Sequence, residues 1–321
     1  MPAGAEAQLR RAGALVAPAH REIPIMKKIE ALGFVGLGVM GEAMCANLVR
    51  KGGLPVTGTD RMAAPVERLA ALGLCPAASL AEVAQASDVV FLSLPSGVQV
   101  EEVCFGPGGL ATAGGRVHTV VDMSTSPAKL TRELAARMAA HGITFMDAPV
   151  ARMRQAAKDG TLSIMVGGTA EDFEAVRPFL ATMGTDITHC GAVGTGQVVK
   201  ILNNMVVFMT VHALAEALAI GRKSGVDGAL LFDVMSKGSA DSFALRTPGQ
   251  KALVPDVFPE QTFPTDYAIK DIKLALELAE QAGIDADAAR RTFALLEETS
   301  QAGYGKAYYP AMIRLIEAGG V

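Results

Sequence analysis

The run Gly36-Leu37-Gly38-Val39-Met40-Gly41 constrains this chain more than any other segment. It follows the apolar stretch Ala31–Val35 and opens Glu42-Ala43-Met44-Cys45-Ala46-Asn47-Leu48, which reads as a helix. A strand, a tight glycine turn and a helix N-terminus, in that order, make a site for a pyrophosphate. Gly36 allows the turn, Gly38 lets the backbone approach the phosphates, and Gly41 lets helix and strand pack closely. The N–H groups at the helix start face the anion, and the helix dipole favours its charge. With 34 glycines in 321 residues the pattern can arise by chance, so its surroundings decide. A second strand candidate, Leu54–Thr59, ends at Asp60, which lies 19 residues beyond Gly41. That is close to the spacing of a carboxylate that binds the ribose hydroxyls of a dinucleotide. Asp60 repels a 2′-phosphate whereas the adjacent Arg61 attracts one. The cofactor is therefore read as NAD, with NADP as the second option.

From Lys28 to about Gly191 strand and helix patterns alternate, which predicts a mostly parallel sheet with helices on both faces. Strands are expected at Ala31–Val35, Val56–Asp60, Asp88–Leu94, Val117–Asp122, Thr144–Ala148, Leu162–Val166 and Asp186–Cys190. Several are continuous apolar runs, as strands buried on both faces should be. Beyond Gly191 strand signals fade. Gly194-Thr195-Gly196 precedes a helix of about 25 residues, and helical periodicity continues to the C-terminus, with Asp285 placed to cap one helix. The expected class is thus α/β: a Rossmann-type doubly wound sheet over 28–191, then an all-α domain over 192–321, with a substrate cleft between them. Residues 1–27 read as a leader or disordered extension, since the first 25 carry Arg10, Arg11, His20 and Arg21 against Glu6 and Glu22 and lack a long apolar core.

A net charge of −4 argues against a nucleic-acid binder that relies on a basic surface. The scattered Cys45, Cys75, Cys104 and Cys190 form no metal-ligand spacing and fit reduced thiols in the cytoplasm. No metal is expected. The longest apolar segment, Val198–Ile220, contains Lys200, Asn203, Asn204, His212 and Glu216. It is read as a buried helix with a polar functional face and not as a membrane span. Lys200 and Asn204 stand i and i+4 on one helix face. A lysine in a dry cleft has a lowered pKa and can exchange a proton with an alcohol during hydride transfer.

Four motifs taken together resemble the β-hydroxyacid dehydrogenase family over roughly Lys28 to Glu317. They are Gly33-Phe-Val-Gly-Leu-Gly-Val-Met-Gly41 with Ala46-Asn47-Leu48, Asp147-Ala148-Pro149-Val150 with Gly160-Thr161-Leu162 and Val166-Gly167-Gly168, Gly194-Thr195-Gly196 with Lys200-Ile-Leu-Asn203-Asn204, and Lys270-Asp271-Ile272 with Leu274-Ala275. The resemblance implies that Lys200 is the general acid/base and that Asn204 helps to hold the substrate. It implies that Leu94, Pro95, Gln99 and Thr125 line the cofactor and that Lys270 closes over its nicotinamide end. It also implies a small acidic substrate, a homodimer or homotetramer, and no membrane or nucleic-acid partner.

One segment departs from the family. Members commonly continue Asp-Ala-Pro-Val with Ser-Gly-Gly, whereas this chain has Ala151-Arg152-Met153-Arg154-Gln155. An arginine fork suits bidentate recognition of a carboxylate or sulfonate. Arg152, Ser124 and Asn204 are accordingly the residues expected to grip the acid group. The expected reaction interconverts a short β-hydroxy acid and its semialdehyde. The alternatives are a sulfolactaldehyde-type reductase, an imine reductase, which the presence of Lys200 disfavours, and a dinucleotide-binding module without catalysis.

Overall fold

The apolar runs that the sequence offers as strands lie side by side in one sheet. The computed structural model describes residues 28–260 and 262–319, so the expected leader over 1–27 lies outside the described residues. The sheet-bearing half runs β1 (Leu32–Val35), α1 (Gly41–Lys51), β2 (Val56–Thr59), α2 (Ala63–Ala70), β3 (Cys75–Pro76), α3 (Leu80–Ala86), β4 (Val89–Leu92), α4 (Gly97–Phe105), β5 (Thr119–Asp122), α5 (Ala128–Ala139), β6 (Thr144–Asp147), β7 (Val150–Ala151), α6 (Arg154–Asp159), β8 (Leu162–Gly167), α7 (Ala170–Leu180) and β9 (Gly184–Gly191). The helical half runs α8 (Thr195–Lys223), α9 (Gly228–Met235), a π-helical segment at Leu245–Leu253, α10 (Thr265–Ala282), α11 (Asp287–Thr299) and α12 (Ile313–Glu317).

The strand order is β3-β2-β1-β4-β5-β6-β8-β7, with β9 paired to β8. Strands β3 to β6 are parallel, which is the doubly wound Rossmann order. Alternating side chains supply two cores. Phe34, Val89 and Phe91 face one side with Met44 and Leu48 of α1. Val35, Val90 and Leu92 face the other with Val83, Val100 and Leu134 of α3, α4 and α5. Each such buried side chain contributes roughly 1.5–3 kcal/mol. The helical half has its own core around Phe208, Leu214, Phe232, Leu296 and Tyr309.

By length and hydropathy alone, α8 is long and apolar enough to cross a membrane. In this fold its inner face packs on α10, α11, α12 and the π-helical segment. Its N-terminus is held by the sheet domain. Asp147, at the end of β6, accepts hydrogen bonds from Gly194 N at 2.6 Å and Gln197 N at 2.8 Å. A carboxylate there satisfies orphan helix amides and complements the dipole. The approach demands small residues: a Cβ on Gly167 would strike the Asp147 carboxylate, and one on Gly196 would strike Met165 O.

The elements that the sequence did not announce are short or irregular. Two-residue strands β3 and β7 carry no periodicity, and α6 has only six residues. Asp285 does not cap α11 as expected. The N-cap is Ala286, and the Asp285 carboxylate instead pairs with Arg290 one turn into the helix.

Replacing Asp147 by Ala should lower the thermal midpoint by about 4 °C, since a lost cap costs about 1–2 kcal/mol and each kcal/mol moves a domain of this size by about 2–4 °C. Calorimetry of the variant checks this, and an unchanged midpoint would refute the bracing role.

Candidate active site

The order of the sheet reverses between β1 and β4, and ligands bind at that switch point in open α/β sheets. Both strands exit there into the expected cofactor loops. Gly36 takes φ +90°, a conformation favourable to glycine, and a Cβ on it would strike Ser93 O beyond β4. A Cβ on Gly41 would strike Gly36 O, whereas one on Gly38 meets nothing within 4 Å. Gly36 and Gly41 are thus required by packing, and Gly38 faces open space. No side chain caps α1 at Met40. The loop therefore fits a pyrophosphate lying against Gly38 and the helix start. Val39 stands exposed at its rim and Leu37 is buried beneath it. Asp60 fastens the loop, accepting from Leu37 N at 2.6 Å and Met62 N at 2.7 Å. Arg61 pairs with Glu102 at 2.8 Å on the surface.

Across the domain interface, α8 presents Gln197, Lys200 and Asn204, all buried, at i, i+3 and i+7 along one stripe. Lys200 Nζ donates to Asn204 Oδ1 at 3.0 Å, and Asn203 Nδ2 donates to the same oxygen at 3.2 Å. Asn204 Nδ2 donates to Asp271 Oδ2 at 2.7 Å. Lys270 Nζ lies 3.2 Å from Asp271 Oδ1 and donates to Pro95 O at 3.4 Å. Burial pulls the Lys200 ammonium down to about 8, opposed by the charge of Asp271 and assisted by that of Lys270. The amine therefore changes charge close to neutral pH, as a proton-exchanging group requires.

The segment after β5 closes the other side. Asp122 Oδ1 accepts from Ser124 N at 2.9 Å and its Oδ2 accepts from Ser126 Oγ at 3.2 Å. Burial pushes the Asp122 carboxyl up to about 7, against the bonds from Ser124 and Ser126. Ser124 Oγ accepts from Leu94 N at 2.9 Å. Gln197 grips the same segment, donating from Nε2 to Ser124 O at 2.8 Å and accepting at Oε1 from Ser126 N at 3.0 Å. Thr125 lies between these two bonds. Gln99, on α4, accepts from Ser96 Oγ at 2.6 Å.

One sequence expectation is corrected. Arg152 does not join the Lys200 group. Its guanidinium donates to Thr161 O at 2.5 Å and pairs with Asp186 at 2.6 Å. Arg152 also takes φ +83°, the left-handed region that favours glycine. Ser124 is 4% exposed and its Oγ accepts from Leu94 N, a bond that leaves its O–H able to donate. Conversely, Gln197 and Asp271 were not expected at the site. The i, i+3, i+7 stripe was a signal for Gln197; burial of Asp271 at 3% exposure was not visible in the sequence.

Comparison with known proteins places this geometry. Residues 31–191 match the model described as the NAD binding domain of 6-phosphogluconate dehydrogenase. Residues 194–316 match the one described as NAD-binding of NADP-dependent 3-hydroxyisobutyrate dehydrogenase. A 2-(hydroxymethyl)glutarate dehydrogenase from Eubacterium barkeri is 35% identical over 91% of this chain and 96% of its own length. The chain belongs to the β-hydroxyacid dehydrogenase family. A 2-hydroxy-3-oxopropionate reductase from Escherichia coli is 36% identical over 77% of this chain and 84% of its own length. The Mycobacterium tuberculosis 3-hydroxyisobutyrate dehydrogenase solved with L-serine has a TM-score of 0.82 at 30% identity, covering 90% of this chain and 99% of its own. As a β-hydroxyacid dehydrogenase the chain is an NAD(P)-dependent oxidoreductase.

The glycine loop yields a discriminating test of its cofactor contact. Gly38→Ala should leave the thermal midpoint unchanged while raising the NAD(P)H dissociation constant at least about tenfold, the loss of one or two charge-assisted bonds. Fluorescence titration beside calorimetry reads both, and unaltered affinity would remove Gly38 from the site.

Proposed function

We propose that this protein interconverts a short β-hydroxy acid and its semialdehyde, with Lys200 as general acid/base. The observation that carries this reading is a buried lysine, anchored through Asn204 to Asp271, whose neighbour Lys270 reaches Pro95 O in the loop after β4. Substrates named for the relatives carry their hydroxyl or aldehyde on the carbon β to a carboxylate. NAD(P), when bound, supplies the hydride chemistry. Lys200 Nζ takes the hydroxyl proton as the alcohol is oxidised and returns it to the alkoxide in reverse. Asn204 Oδ1 fixes where Nζ stands, and Asp271 fixes Asn204. Lys270, reaching Pro95 O from α10, draws the helical domain over the cofactor loop. Asp60 supports a preference for NAD over NADP.

The sulfonate alternative rested on Arg152 and loses support from its pairing with Asp186. The 192–321 domain is the proposed carrier of substrate and oligomer contacts. Val199, Leu202, Val206 and Ile220 stand exposed along α8 in a heptad-like row, which supports a homodimer or homotetramer. Four free cysteines, two of them buried, fit a cytoplasmic location.

Lys200→Ala should lower kcat by about a hundredfold or more without changing the NADH dissociation constant; normal turnover on a panel of 3-hydroxy acids and semialdehydes would sink the mechanism. Because oxidation needs the neutral amine, kcat for the alcohol should rise with pH through a midpoint near 8, and reduction should decline over the same range. Asp271 holds the Lys200 pKa up, so Asp271→Asn should move that midpoint to lower pH. A pH profile of the variant that moves alkaline, or not at all, contradicts the coupling.

A further inference from the structure

The bonds around the cleft close on themselves. From Lys200 they run through Asn204, Asp271 and Lys270 to Pro95. Leu94, joined covalently to Pro95, donates to Ser124 Oγ, and Ser124 O accepts from Gln197, one helical turn before Lys200. Most links depend on side chains with rotational freedom. Lys270 is partly exposed and its bond to Pro95 O is long at 3.4 Å. Gln197 is different. It is 0% exposed and makes two bonds of opposite polarity, one to a carbonyl and one to an amide two residues further on. A primary amide is the neutral side chain that can donate and accept side by side in this way. Its own backbone is pinned by Asp147.

From this arrangement we infer that Gln197 is a positioning residue: its amide clasps Ser124 O and Ser126 N across the domain interface and thereby sets where Lys200 stands relative to the cofactor loop. The inference rests on the hydroxyacid dehydrogenase reading above. The geometry matters because hydride and proton must leave one alcohol together. A displacement of about 1 Å is enough to cost about a hundredfold in rate. Gln197 touches the cofactor-lining segment through backbone atoms on one side and shares a helical turn with Lys200 on the other. Its removal should therefore act on kcat and spare the affinities of both ligands.

Two variants of the full-length protein test this with NADH bound. Gln197→Met keeps the length and deletes both bonds. It should lower kcat for 3-hydroxyisobutyrate, or for whichever 3-hydroxy acid the wild type oxidises, by about 10- to 100-fold, with KM and the NADH dissociation constant within about threefold. Hydrogen exchange across 122–127 should quicken while that of β1 stays unchanged. Gln197→Glu supplies the second arm. Fully buried, with Asp147 on the Gln197 backbone and Asp122 on Ser124 and Ser126 as neighbouring carboxylates, the new carboxyl is held protonated at mildly acid pH and can then donate and accept as the amide does. Its kcat relative to wild type at the same pH should be near parity at about pH 6 and fall towards the Met variant by about pH 9. Asp122 and Lys200 titrate in the same range in both variants, so a purely structural defect would give Gln197→Glu the same pH profile as Gln197→Met.

Unchanged exchange across 122–127, a kcat within about twofold of wild type for Gln197→Met, or a Gln197→Glu kcat in constant ratio to that of Gln197→Met from about pH 6 to about pH 9 each overturns the inference. A wild type that oxidises no 3-hydroxy acid overturns the functional reading on which positioning depends, and is recognised without any variant. Exchange then reports only whether the clasp exists.

Discussion

Asp147 on the first turn of α8 is the contact on which the working arrangement depends. The helix belongs to one domain and the carboxylate to the other, so the bond fixes the axis of the element that carries Gln197, Lys200 and Asn204. Burying that carboxylate is unfavourable, and burial raises its pKa, but two backbone donors and the helix dipole oppose the shift. Three glycines make the approach possible. Gly167 and Gly196 leave room for the carboxylate and for Met165 O, and Gly194 takes φ +87° to turn the chain into the helix.

Once α8 is fixed, the polar groups along its stripe are placed relative to the sheet. Gln197 meets the segment after β5, and Lys200 and Asn204 meet α10 through Asp271. The same burial that penalises an ammonium lowers the Lys200 pKa to about 8, in the range that the proposed proton exchange uses. Asp271 limits that shift. Its contribution comes from an element about seventy residues away in sequence, so the acid/base properties of Lys200 belong to the packed helical domain and not to its own helix.

The legible parts of the chain were those governed by local rules. Long apolar strands such as Val89–Leu92 and the glycine turn after β1 announce themselves through composition and periodicity. The long helix was legible too, although its length and hydropathy equally suit a membrane span until its packing is seen. Lys200 and Asn204 stood out because polar residues interrupt an apolar helix. Arg152 stood out for a similar reason and was misplaced. Charge on a loop says which chemistry is available, but Asp186 on β9 decides where the guanidinium goes. Ser124 was legible as a hydroxyl near the cleft, but its bond from Leu94 N joins residues thirty positions apart and could not be read from the sequence.

The sequence alone therefore determined the class of fold, the dinucleotide-binding domain and the family, and singled out the lysine that the proposed proton transfer uses, since each follows from spacing within one segment or from motifs in fixed order. Tertiary structure alone decided that Asp271 tunes that lysine, that Gln197 and Asp147 hold its helix to the sheet, and that Arg152 braces β9. These are contacts between residues from 34 to 73 positions apart. No local propensity encodes them. They exist because two domains, each closed around its own core, leave only certain polar groups face to face where they meet.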